Sequence, residues 1–99
     1  MEDQYKLIDN AEAGQYEFHI DGQIAKIAYR KKDDKIYLIH TEVPKALGGR
    51  GIASSLAKKV LKDIEKNKLV LVPRCPFVLS YIKRHPEWKK LVMKGFVID

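Results

Sequence analysis

A single cysteine, Cys75, and no long apolar run are the first things to notice in these 99 residues. One cysteine excludes an internal disulfide, and without paired Cys and His spacing the chain offers no metal site to read, so any role for Cys75 is a thiol's role. A membrane-spanning helix needs about 20 consecutive apolar residues, and no stretch approaches that. The opening MEDQYKLID is acidic and polar where an export signal carries a positive charge and then an apolar run, so the expected location is the cytoplasm. Repeats, low-complexity tracts and linkers are also missing. A chain this short buries only about 60 to 70% of its unfolded surface, too little to divide between two cores. Residues 1–99 are therefore expected to form one domain.

Positive charge is in excess, with 19 Lys and Arg against 13 Asp and Glu. That balance favours an anionic partner. The basic residues are interleaved with acids, as in Lys31, Lys32, Asp33, Asp34 and Lys35, a pattern equally suited to a solvated face. A phosphate-bearing ligand and a nucleic acid are the two anionic partners to weigh. The Tyr and Phe residues fall mostly in phase with apolar faces, which leaves few rings to stack bases and disfavours a nucleic-acid-binding domain.

Periodicity places the elements. Residues 5–9 read as a short edge strand, followed by an N-A-E-A-G turn. Tyr16, Phe18 and Ile20 then alternate with polar partners, Asp21-Gly22 makes a tight turn, and Ala25, Ile27 and Tyr29 alternate again, which predicts a β-hairpin. A turn at Lys32–Asp34 leads into a strand from Lys35 to Glu42. Strict alternation there puts Ile36, Leu38, His40 and Glu42 on one face and Tyr37, Ile39 and Thr41 on the other. From Gly51 the period lengthens. Ile52, Leu56, Val60 and Ile64 form a stripe flanked by Ala53, Ala57 and Leu61, with Ser54, Ser55, Lys58, Lys59, Lys62 and Glu65 opposite, so the spacing predicts a helix over 51–66. Leu69–Val72 has the length and branching of a strand buried on both faces. A helix between two strands of one sheet is a crossover, so strands 35–42 and 69–73 should be parallel. Pro76 suits the first turn of a helix over 77–85, which Pro86 ends. Trp88, Leu91, Val92, Phe96, Val97 and Ile98 could then either cover the core or add a strand. The fold class is α/β, a mixed and mainly antiparallel sheet with one βαβ crossover.

Gly48, Gly49 and Gly51 sit where the strand gives way to the helix. Ser54 and Ser55 come too late to cap it, which leaves the first-turn N–H groups without an evident acceptor in the chain. Backbone amides at a positive helix end, with no side chain in the way, suit a phosphate, and Arg50 adds a charge. A flexible Gly-Gly turn is the other reading. Neither G-x-x-x-x-G-K-[ST] nor G-x-G-x-x-G is present, so two common phosphate loops are excluded.

Residues 48–53 resemble the acetyl-CoA signature of the GCN5-related N-acetyltransferases, [Q/R]-x-x-G-x-[G/A]. Gly51 and Ala53 stand at its last two fixed positions, and Gly48 where the family usually has Gln or Arg. The chain is more closely similar to a minimal subfamily marked by H-T-E-V-P (40–44), G-R-G-I-A (49–53), C-P-F (75–77) and Y-I-x-x-H-P (81–86). The resemblance covers roughly residues 15–90.

This resemblance implies a minimal acetyltransferase fold and acetyl-CoA (coenzyme A) as cofactor. Gly48, Gly49, Arg50, Gly51, Ile52 and Ala53 would hold the pyrophosphate. The backbone of Thr41, Glu42 and Val43 would bind the pantetheine arm in a gap between splayed parallel strands, with Cys75 and Phe77 alongside. The subfamily's cysteine, here Cys75, has been proposed as catalytic, and Tyr81 stands where the family often carries a tyrosine that protonates the departing thiolate. His40 and Glu42 are candidate bases for the amine. Packing remains open for each: His40 as a half-buried residue beneath the sheet, Tyr81 and Phe77 as one apolar stripe, Cys75 as a small buried hydrophobe. A cysteine between a buried strand and a helix start lies where the helix dipole favours a thiolate. Members of the family place one or two helices between their first two strands, and only residues 10–14 do so here. An acceptor site open to an exposed amine, such as a protein side chain, is therefore expected. The alternative is a module that binds CoA with little or no transfer.

Overall fold

The computed structural model describes residues 5–96. Its five strands lie side by side in the order in which the chain makes them: β1 (Ile8–Asn10), β2 (Gln15–Ile20), β3 (Gln23–Lys32), β4 (Lys35–Glu42) and β5 (Val70–Pro73). The first four run antiparallel and β4 pairs with β5 in parallel, as the crossover requires. Helix α1 (Ile52–Lys66) joins those two, and α2 (Pro76–Arg84) follows β5. Asp21 and Gly22 both take positive φ, 53° and 75°, the pairing whose twist matches that of the strands it joins.

Both helices pack on the sheet face that carries Tyr16, Phe18, Ile27, Ile36 and Leu38, and together with Leu56, Val60, Leu61, Ile64, Val78 and Ile82 these form one core. Burying each such side chain is worth about 1.5–3 kcal/mol. Ser55, expected on the solvent side of α1, is buried, because α1 meets α2 as well as the sheet and a wider stripe of it is covered. The outer face of the sheet carries no helix among the described residues, and Ile24 and Ile39 are exposed there.

After α2 the chain makes a 3-10 turn (Pro86–Leu91) that buries Trp88, and Val92 forms a single parallel bridge to Leu71. The tail thus covers the core and adds one bridge rather than a full strand. Val97 and Ile98 lie outside the described residues.

Beneath the sheet Tyr16 and Tyr29 pack with their rings tilted 44° to each other and their centroids 4.9 Å apart. Tyr16 donates its hydroxyl proton to Asp63 of α1 at 2.9 Å, and Tyr29 donates to Asp9 of β1. Burial, and then the carboxylate acceptors, push both phenols well above their usual range. The folded phenols hold their protons more tightly than unfolded ones. The stability they contribute is therefore complete below about pH 10, the ordinary phenol value, and is lost as the pH rises past it. Tyr16→Phe is expected to lower stability at neutral pH by about 1 kcal/mol and to shallow the alkaline loss, read from thermal melts between pH 8 and 12.

Candidate functional site

The site is set by where β4 and β5 part. They pair from Lys35↔Val70 to Leu38↔Pro73, and then Arg74 and Cys75 both donate their amides to the Leu38 carbonyl at 2.9 Å. Beyond that carbonyl, β5 turns into α2 while β4 runs on to Glu42, held by β3 alone. A fork opens between them.

A bulge re-aims β4 at this point. Tyr29 pairs with Leu38 and Ala28 pairs with His40, so Ile39 is the extra residue. The phase of the strand flips there, which corrects the strict alternation expected from sequence. His40 pairs beside Ala28 and Glu42 beside Lys26, on the outer face, whereas Thr41 joins Ile36 and Leu38 on the inner one. His40 is exposed and does not lie beneath the sheet, and Glu42 forms a 3.4 Å ion pair with Lys26. Thr41 Oγ1 comes within 2.9 Å of Cys75 Sγ, and either atom can donate.

Cys75 is the residue that starts α2, with Pro76 in the first turn, and it is 2% exposed. Its sulfur therefore sits at the positive end of a helix dipole, against a hydroxyl. Phe77 is half-buried against the core. Tyr81 lies nearly two turns further along α2, about 9 Å by helical rise. It is buried, with its ring 4.3 Å from that of His85. Of the candidate residues, the fold brings Thr41 and Cys75 together, leaves His40 and Glu42 on the opposite face and sets Tyr81 further along α2.

The glycine loop begins with a 3-10 turn (Lys45–Leu47) pinned by the buried Leu47. Gly49 and Gly51 have φ of 76° and 68°, and a Cβ at either would meet no atom within 4 Å. Only glycine takes that backbone freely, and the space above it is open. Gly51 precedes α1 with no side-chain cap, and the first intrahelical bond is Ser55 N–H to Gly51 O. The amides of Ile52, Ala53 and Ser54 thus lie at an uncapped positive helix end. Gly48 is different: its backbone is extended, and a Cβ would lie 3.2 Å from the Lys45 carbonyl. That crowding is a local reason for glycine where the family motif has a long side chain. Arg50 donates to Asp21 at 2.9 Å, which raises its own affinity for a proton and ties the loop to the β2–β3 turn.

Sequence reasoning missed two features. Glu17, on the outer face, is buried and accepts hydrogen bonds from Asn10 at 3.0 Å and from Gln15 at 2.6 Å, with His19 also 2.6 Å away. His19, then Gln15, hold its carboxyl below the usual carboxylate range. The Q-x-E-x-H spacing, which puts three polar residues on one strand face, was the signal available. Arg74, to which the sequence assigns no role, lays its guanidinium over the Tyr37 ring next to the point where β4 and β5 part.

Residues 15–91 match the model of a family described as GCN5-related N-acetyl-transferase. The chain belongs to that family. Compared with curated proteins, the chain is 43% identical over 49 residues to protein NATD1 of Gallus gallus and of Homo sapiens, and 41% identical to that of Xenopus tropicalis. The matches cover 50% of this chain and 43–45% of those proteins, so the chain spans less than half the length of these relatives. Its fold resembles an NMR solution structure of a GCN5-like protein from Staphylococcus aureus, with a TM-score of 0.68 over 89% of this chain and 87% of the other, at 23% identity. Between β1 and β2 the chain has only the turn of residues 11–14, with no helix there. No helix among the described residues is long and apolar enough to cross a membrane.

Proposed function

We propose that this chain is an N-acetyltransferase that moves an acetyl group from acetyl-CoA to an amine reaching it from the open outer face. The fork supports this reading most: Cys75 and Thr41 stand 2.9 Å apart where β4 and β5 part. The residues fit the cofactor, because the cradle at Gly49 and Gly51 has room for an anion above its amides and a positive helix end behind them. Residues 48–53 would hold the pyrophosphate. The edge of β4 at Thr41, Glu42 and Val43 would take the pantetheine arm, with Cys75 and Phe77 alongside. When bound, acetyl-CoA supplies a thioester carbonyl as the electrophile.

The chain's own residues manage two protons. An alkylamine is only about one part in 2,500 neutral at pH 7, so its proton needs an acceptor. His40 and Glu42 stand exposed on the face from which the amine would come. A proton for the departing sulfur is available from the Cys75 and Thr41 pair at the fork, with Tyr81 further along α2 beside His85 as the other donor. The burial of Tyr81 and Cys75 also favours a second reading, a CoA-binding module without turnover.

Titration calorimetry with acetyl-CoA, then mass spectrometry with and without an amine, tests both. Binding is expected, followed by acetylated amine. An acetyl adduct on Cys75 that disappears when amine is added marks covalent transfer; acetylated amine without an adduct marks direct transfer. Binding with no product from a broad set of amines leaves the module, and no binding overturns both readings.

A further inference from the structure

Beside the fork lies a cavity of about 520 Å³ lined by Arg30, Lys31, Lys32, Tyr37, Ile39 and Arg74. Ile39 and Arg74 adjoin the point where β4 and β5 part, and the three β3 cations lie toward the paired end of β4. Four of these six are cations and none is an acid; the Lys31 ammonium lies 5.4 Å from the Tyr29 ring centre, so Arg30, Lys32 and Arg74 carry the charge of the hollow. The bulge residue Ile39 supplies an apolar wall, 39% exposed, and Arg74 sits over Tyr37 with its guanidinium carbon 6.0 Å from the ring centre. The Arg74 and Cys75 amides share the Leu38 carbonyl, so the cavity and the thiol hang from one point of β4.

Cations gathered around one hollow repel each other, and an anion relieves that. Guanidinium groups pair with carboxylates in a fixed two-point geometry, which suits acidic side chains. The same cations disfavour a protonated amine nearby, so an amine held here loses its proton more readily. A bare lysine would be repelled, whereas a lysine flanked by acids would be drawn in by its neighbours.

We infer that this cavity receives the acceptor, and that the acceptor amine belongs to a lysine in an acidic protein segment. This rests on the acetyl-transfer reading of the fork. A nucleic acid fits less well. Single-strand binding uses free aromatic faces along a charged track, and here Arg74 already covers the Tyr37 ring while the charges surround one hollow.

The test titrates the full chain with three lysine peptides of equal length, flanked by Asp and Glu, by Ala and Gly, or by Lys and Arg, and follows amide NMR signals. Acetyl-CoA binding is measured separately. Signals of Arg30, Lys32, Tyr37, Ile39 and Arg74 are expected to move with the acidic peptide, which binds at least about tenfold more tightly than the neutral one, by a margin that shrinks as salt is raised. The double variant Arg30→Glu with Lys32→Glu, both exposed, should lose that margin, come to prefer the basic peptide, and bind acetyl-CoA as before. Equal affinity for acidic and neutral peptides, or shifts confined elsewhere, overturns the inference alone. Absence of acetyl-CoA binding overturns the reading on which it rests. A single-stranded oligonucleotide that binds the cavity more tightly than the acidic peptide also overturns it, in favour of nucleic acid.

Discussion

Replacing Gly51 with alanine is expected to weaken acetyl-CoA binding by about ten- to a hundredfold while the chain stays folded. The two consequences have separate causes. Gly51 sits at φ 68°, where a residue with a Cβ is strained by about 1–2 kcal/mol, so some stability is lost. The added methyl meets no atom of the chain within 4 Å, so the fold itself is not crowded. It would instead project into open space at the start of α1, where the proposed pyrophosphate would lie. Displacing one charge-assisted hydrogen bond to a phosphate oxygen costs about 1.5–3 kcal/mol, which is the stated range of affinity. Gly48→Ala is the control: its backbone is extended and its Cβ points at the Lys45 carbonyl, so affinity should change less than threefold. Calorimetry gives the affinities, and thermal melts give the stability loss to be separated from them. Equal affinities for the two variants would mean that the glycine loop is only a turn.

Removing the thiol should have the larger effect on turnover. Cys75→Ala is expected to slow acetyl transfer by about 10²- to 10⁴-fold, the range for loss of a positioned proton donor or nucleophile, with acetyl-CoA affinity little changed. Serine separates the two roles. Beside Thr41 a hydroxyl can still pass a proton, so Cys75→Ser should keep most activity if the thiol protonates the departing sulfur. The same variant should be as slow as alanine if the thiol takes the acetyl group itself. Thr41→Val, which removes the hydroxyl and keeps the shape, should slow transfer in either case. Single-turnover rates across pH 6 to 9 would distinguish these outcomes. Full activity in Cys75→Ala would move the proton to Tyr81.

The elements were legible because local chemistry and tertiary demand agree in them. Asp21-Gly22 wants the turn it makes, Tyr16, Phe18 and Ile20 alternate as their pairing needs, and the four-residue repeat of α1 matches its buried stripe. The bulge at Ile39 left no such mark. Y-L-I-H-T-E alternates well enough with or without an extra residue, and only the pairing of β4 with β3 decides. Sequence therefore brought His40, Thr41 and Glu42 to the fork without telling which of them turns toward Cys75. Glu17 was hidden for a related reason. Its place on an open sheet face predicts solvent, and its burial comes from Asn10, Gln15 and His19 closing around it. Arg74 left no mark in the sequence because its partner, Tyr37, is distant in the chain.

The strand order has a consequence for how the chain folds. Each antiparallel pairing joins chain neighbours across a turn of two to four residues, so those contacts are local and form quickly. The parallel pairing of β4 with β5 must wait until the whole segment 43–69 has closed, with the entropy that such a loop gives up. The fork is thus drawn on the pairing with the largest loop to close. A ligand spanning the glycine loop and the β4 edge would add its binding free energy across that loop, so the acyl donor would brace the fold as well as feed the reaction.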